Sequence, residues 1–279
     1  MKKTLLAMAC ILFVATGAIS QQLRTPSASP SQKVTQEFGL GSIELEYGRP
    51  SAKNREVFGK LVPFDAVWRT GANAATKIKF SDDVKFGGKD VKAGQYGLLT
   101  IPGKNSWTVI LSKDLNVTSP SAYKQENDVV RVMVNPQTIS NDVETFTIQF
   151  SDMDKNNAVN LELRWAKTKV VVPITVDLDS KIMGQIDQMM NKDNRPYFAA
   201  ASYYYENGKD LAQAAQWVDK AMEANQNAFW MPLLKARIHQ KLGNKAEAVA
   251  AAQKTIELAT KAQNSDYVTM ANDLINSLK

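Results

Sequence analysis

Lys169–Met190 reads "KVVVPITVDLDSKIMGQIDQMM", and the period of its apolar residues changes part-way along. Val170, Val172, Ile174 and Val176 fall at every second position, the spacing of a strand with one buried face. Beyond Asp179 the apolar residues are Ile182, Met183, Ile186, Met189 and Met190, spaced three and four apart as on one stripe of a helix. A strand-built region therefore gives way to a helix-built one within a few residues. The expected division is a β domain over 21–178 and an α domain over 179–279.

Upstream, the period of two recurs. In Ser42-Ile43-Glu44-Leu45-Glu46-Tyr47 two glutamates face away from Ile43, Leu45 and Tyr47. Thr76–Phe80, Trp107–Leu111, Val129–Val134, Thr145–Phe150 and Val159–Trp165 alternate in the same way. Turn clusters separate them: Phe86–Lys89, Ala93–Gln95, Pro102–Lys104 and Met153–Asn157. Seven or more short alternating strands predict an antiparallel, mainly-β, sandwich-like domain.

Downstream, Asn191–Pro196 breaks the first helix and a repeat follows. Leu211–Glu223 aligns with Lys245–Glu257 at an offset of 34 residues, with alanines where helices must approach closely and Gly208 and Gly243 at the turns. That is the tetratricopeptide period, carried here by two degenerate copies that lack its full pattern. A last stripe of Tyr267, Ala271, Leu274, Ile275 and Leu278 predicts a closing helix. The expected fold class is thus a β sandwich-like domain followed by an all-α, tetratricopeptide-like helical-repeat domain.

The N-terminus carries Lys2 and Lys3, an apolar run from Leu5 to Ala18, and the small residues Ala18 and Ser20 before Gln21. This is the pattern of a secretory signal over 1–20, cleaved after Ser20. Ala7–Cys10 weakly resembles a lipoprotein cleavage box, but the apolar run continues past it. Cys10 is the single cysteine, so the cleaved chain has no disulfide, thiolate nucleophile or cysteine-ligated zinc. The expected location is periplasmic, cell-surface or secreted, with no transmembrane anchor after cleavage. Lys2 and Lys3 supply two of the formal +6 charges, and no basic block marks a nucleic-acid partner.

Several ordered motifs carry a family resemblance: "YGRPSAKNREVFGKLVPFDAVWRTGAN", "AGQYGLLTIPG" with "WTVIL", "DVVRVMV" and "ETFTIQF". Over about Gln32–Val176 the chain resembles the bacterial family filed as domain of unknown function 2911. The resemblance implies an exported β domain, often with a helical tail, and no activity, ligand or cofactor. The family more often has Gly where this chain has Asn54. Asn tolerates positive φ better than most residues, so the turn is expected to survive.

Catalytic chemistry finds little to stand on. The single histidine, His239, falls on a predicted helix, where packing or exposure explains it. Ser151–Asn156 begins like a calcium loop but has Asn157 where glycine belongs and Leu163 where glutamate belongs, so it reads as a polar hairpin turn. Adjacent Asp82 and Asp83 would point to opposite faces of a strand. No catalytic residue, metal site or cofactor is assigned.

One cluster remains. Tyr47, Arg49, Arg55, Trp68, Arg69 and Asn73 lie close in sequence, the last three within "WRTGAN". They suit a pocket for an anionic or sugar-like small molecule, since arginine forks match carboxylates and stack on aromatic rings. The preferred reading is a loop-organising network that could double as the wall of a site, with the arginines on Glu56, Asp65 or loop carbonyls, Gly71 supplying a turn and Asn73 capping it. Phe229, Trp230 and Met231 are either buried packing residues or anchors for a peptide or protein on the helical repeats. The expected function is a non-enzymatic binding or scaffolding module. The alternative is an enzyme acting on a carbohydrate or peptide through arginine and carboxylates.

Overall fold

The computed structural model describes residues 25–155 and 157–279, and these form two compact units that part between Val176 and Asp177. The expected signal segment and Cys10 lie outside the described residues. The first unit holds β1 (Ser31–Phe38), β2 (Gly41–Gly48), β3 (Lys77–Phe80), β4 (Val84–Phe86), β5 (Lys89–Val91), β6 (Gly94–Ile101), β7 (Trp107–Ser112), β8 (Asp128–Val134), β9 (Gln137–Asp154) and β10 (Ala158–Thr175). They form two antiparallel sheets, ordered β1-β2-β3-β6-β7-β8 and β5-β4-β10-β9.

The alternation in sequence becomes burial in space. Ile43, Leu45 and Tyr47 of β2 are buried, while Glu46 is exposed and Glu44 pairs with Lys79 on β3 and Lys33 on β1. In β10 the buried set is first Leu161, Leu163 and Trp165, then Val170, Val172 and Ile174. The parity shifts because the ladder to β9 is irregular on both sides of Ala166, whose φ is 48°. A bulge adds a residue to one strand and turns every later side chain to the other face.

Side chains from the two sheets meet directly. Tyr47 on β2 accepts the Ile148 N–H of β9 at 2.8 Å, and its hydroxyl lies 2.9 Å from Gln32 Oε1. The Phe146 ring stands edge-on to Tyr47 at 5.8 Å. Burial pushes the Tyr47 phenol above its ordinary range. Trp68 stacks on Trp165 at 5.7 Å and meets Phe146 at 4.9 Å, while Phe58 packs on Trp107.

The second unit holds α1 (Leu178–Met190), α2 (Tyr197–Glu206), α3 (Leu211–Ala224), α4 (Trp230–Lys241), α5 (Lys245–Lys261) and α6 (Ser265–Ser277). Side-chain caps open three of them: Asp177 accepts from Ser180 N at 3.1 Å, Asp210 from Gln213 N at 3.0 Å and Asn264 from Tyr267 N at 3.2 Å. Gly208 and Gly243 turn the chain at φ 64° and 77°. The helix α4 is buried on two sides. Leu234 and Ile238 join Ala201, Ala214 and Val218, whereas Leu233 and Ala236 join Ala248, Ala252 and Ala271. Phe229 packs edge-on against Tyr267 at 4.8 Å, Met231 joins the Ala214 cluster, and Trp230 is partly exposed. The chain is therefore α+β, with antiparallel sheets followed by six helices among the described residues. None of those helices is long and apolar enough to cross a membrane.

Candidate functional site

Between β2 and β3 the chain runs through a long loop, residues 49–76, that contains "WRTGAN". Trp68 is bolted to β6: its N–H donates to Thr100 O at 2.7 Å and its carbonyl accepts from Thr100 N at 3.0 Å. Thr70 is fully buried and has φ 55°, a costly conformation for a β-branched residue. Its surroundings hold it there. The Thr70 hydroxyl bonds Thr100 Oγ1 at 3.1 Å, its carbonyl accepts from Thr76 Oγ1 at 2.6 Å, and Thr76 N–H donates to Arg69 O at 3.3 Å. Gly71 is required by close approach, since a Cβ there would lie 2.9 Å from both Gly48 O and Thr76 Oγ1.

The structure separates the six residues singled out in the sequence. Tyr47 is in the core between the sheets. Arg49 is half-buried and reaches β9, Nε donating to Phe146 O at 3.1 Å and Nη2 to Thr147 Oγ1 at 2.8 Å. Arg55 is exposed and closes its own turn, through Ala52 O at 2.9 Å and Ser51 O at 2.8 Å. Asn73, at φ 63°, donates from Nδ2 to Ser29 O at 2.9 Å. Arg69 donates from Nη1 to the Thr118 carbonyl, and Trp68 Nε1 donates to Gly71 O at 3.1 Å. All three arginines thus bond loop or strand carbonyls, not Glu56 or Asp65.

Two of the six, Trp68 and Arg69, line a cleft of about 190 Å³. One side is Leu61, Val62, Pro63, Ala66 and Val67, and the other is Thr118, Ser119 and Pro120. No carboxylate is among these residues. Arg69 brings an incomplete set of bonds to the cleft: Nε is buried with no hydrogen-bond partner, and Nη1 is the one nitrogen with an acceptor among the described residues. The facing rim is anchored from behind. Tyr123 donates to Asp128 Oδ2 at 2.6 Å, and Arg131 Nη1 reaches the same oxygen at 2.8 Å. Burial, and then the Asp128 carboxylate, push the Tyr123 phenol up to about 12.

Other candidates take structural places. His239 is half-buried near the end of α4, with Nδ1 3.3 Å from Asn244 Nδ2. Of the residues expected as a hairpin turn, Ser151–Asp154 instead end β9, and the turn is tighter, with Asn157 N–H donating to Asp154 O at 3.0 Å. Asp83 pairs with Lys92 at 2.8 Å and accepts the Ala93 N–H. No group of metal-ligating side chains gathers among the described residues.

The ordered strands, the Trp68–Asn73 loop and the cleft all fall inside one family match. The model for "Protein of unknown function (DUF2911)" matches residues 29–174, over half of the chain. The chain belongs to this family. No curated protein and no solved structure matches it. Within the DUF2911 region Asn54 adopts φ 59°, and Arg55 N–H closes the turn on Ala52 O at 3.1 Å. The cleft's apolar side and its Thr118–Pro120 rim escaped sequence reasoning. Leu61-Val62-Pro63 shows no strand or helix period, and the rim lies 49 residues beyond Arg69.

Proposed function

We propose that this chain is an exported, non-enzymatic binding module, and that its site is the cleft walled by Trp68 and Arg69. The observation that carries this is an arginine with unused donors, set among apolar side chains on a backbone that Thr70, Thr76 and Thr100 hold rigid. Binding sites pair a mostly apolar lining with a few placed polar groups in this way. Drug-sized ligands occupy roughly 300–1,000 Å³. At about 190 Å³ the cleft suits a small organic molecule, or one apolar group of a larger one, better than an oligosaccharide. An enzyme working through arginine and carboxylates would need an acid beside Arg69, and the cleft's lining offers none.

Export is inferred from the lysines, apolar run and small residues at the N-terminus. Mass spectrometry of the secreted fraction should find an N-terminus at Gln21; a lipid-modified Cys10 would overturn that. The meeting of Tyr47, Phe146, Trp68 and Trp165 supports a sandwich-like closure of the two sheets. The start of α3 at Leu211 and of α5 at Lys245 supports a tetratricopeptide-like stack able to dock a peptide or protein. The binding claim is tested by titrating the mature protein with small organic molecules while following the Trp68 indole resonance by NMR. Saturable shifts at Trp68 that Val67→Trp abolishes support it. Saturable shifts confined to residues away from the cleft would refute it.

A further inference from the structure

Resting on the proposal that the cleft binds a ligand, we infer the class of that ligand: an apolar group carrying a carboxylate, with the carboxylate on Arg69.

The free protein leaves this guanidinium incompletely satisfied. Nη1 is committed to the Thr118 carbonyl, and Nε is buried without an acceptor. A buried donor left unmade is costly, so this edge favours any partner that supplies an acceptor. In an arginine side chain Nε–H and one N–H of Nη2 point the same way, along the edge away from Nη1. Two oxygens of one carboxylate match that edge, and the pairing is charge-assisted. A neutral carbonyl offers one acceptor and no charge. Because Nε is shielded in the free protein, the second oxygen reaches it only as the surrounding side chains give way slightly.

The frame around Arg69 fits this role. Thr70 is held at φ 55° by bonds to Thr100 and Thr76, and Trp68 is pinned to Thr100 on the other side. Strain of this kind persists where the neighbours over-determine it, and it is concentrated at ligand clamps. Arg69 is thereby presented at the cleft from an immobile backbone. Leu61, Val67 and Pro120 are left to receive the apolar body. Two sources carry this chemistry, a free short-chain acid and the C-terminal residue of a peptide.

The test titrates the mature protein by calorimetry with 4-methylpentanoate and 4-methylpentanamide. It then repeats the comparison with an N-acetyl dipeptide ending in leucine, as the acid and as the amide. In at least one pair the acid is expected to bind about tenfold tighter than its amide. The pair showing the tighter acid identifies the source. Arg69→Met should erase the preference, and Arg69→Lys should restore only part of it, because lysine cannot make the planar two-point contact. Acid and amide binding equally well would overturn the carboxylate and leave the cleft as a binding site. No binding by any of the four would overturn both. If Arg69→Met fails to fold, the acid-to-amide ratio on the unmutated protein decides alone.

Discussion

The two units solve the problem of a core with opposite materials. The β unit fills its interior with large rings and branched chains: Trp165, Tyr47, Phe80, Phe86 and Phe146 are all essentially inaccessible. The helical unit is packed on alanine, with Ala214, Ala236, Ala248, Ala252, Ala259 and Ala271 at 0% exposure. Ring side chains reach far from a backbone, and here they join residues of both sheets. Helices with alanine at the contact approach closely, so backbone replaces side chain as the filler. The first core is therefore vulnerable to subtraction and the second to addition.

Truncation should be worst in the β unit. Trp165→Ala removes the partner of Trp68, Phe146 and Phe58 and is expected to cost about 3–5 kcal/mol. Near-UV circular dichroism during denaturant unfolding follows Trp68 and Trp107 of this unit alongside Trp217 and Trp230 of the helical one, and a loss below about 1 kcal/mol would mean the aromatic cluster is not the core. Enlargement should hurt the helical unit. Ala236→Leu on α4 is expected to cost about 1–3 kcal/mol, read as a lower midpoint of the 222 nm signal. A neutral result would show that α4 and α5 can simply move apart.

Arg49→Ala probes the loop-to-sheet ties. It strips two hydrogen bonds from β9 and should cost about 1–2 kcal/mol, again by near-UV dichroism. Asn264→Ala removes the cap of α6 and should cost about 1 kcal/mol at 222 nm. The smallest effect is a pH dependence in the helical unit. Hydrogen bonds from Lys254 and then Lys261 lower the Glu257 carboxyl from 4.5 to about 2. Its stabilisation is therefore complete above pH 4.5 and lost as the pH falls towards 2. Because Glu257 is solvent-exposed, Glu257→Gln should flatten this dependence only slightly at 222 nm.

Where one face is buried and the other wet, the sequence announced the element: β2, β8 and the helices α3, α5 and α6 stand where their periods placed them. The strand β6 was not legible from period because Leu98 and Leu99 are both buried, so two sides of it are covered. The first half of β9, Gln137–Glu144, has no buried residue and hence no apolar signal. The pairs β4 and β5 have three residues each, too short to show any period. At the site, Trp68 and Arg69 stood out because such residues are rare beside Gly and Asn. Tyr47 stood out for the same reason, although its alternation with Ile43 and Leu45 equally marks an inward position. What completes the cleft comes from distant loops, and only the folded chain brings Thr118–Pro120 opposite Arg69.

The hydroxyl of Tyr47 joins residues 101 positions apart in sequence. In a chain emerging from the ribosome at about 5–20 residues per second, Tyr47 waits roughly 5–20 seconds for Ile148. Strands β1, β2 and β3 can curl into a meander meanwhile, but the aromatic face they offer has nothing to close on until β9 and β10 arrive. The helical unit has no such delay, because α2 to α6 each pack on a sequence neighbour. Contacts this distant make closure of the β unit the slow step of folding, with the helices following quickly once made. The export proposed above would be served by an interior that cannot shut early, since such a chain stays threadable.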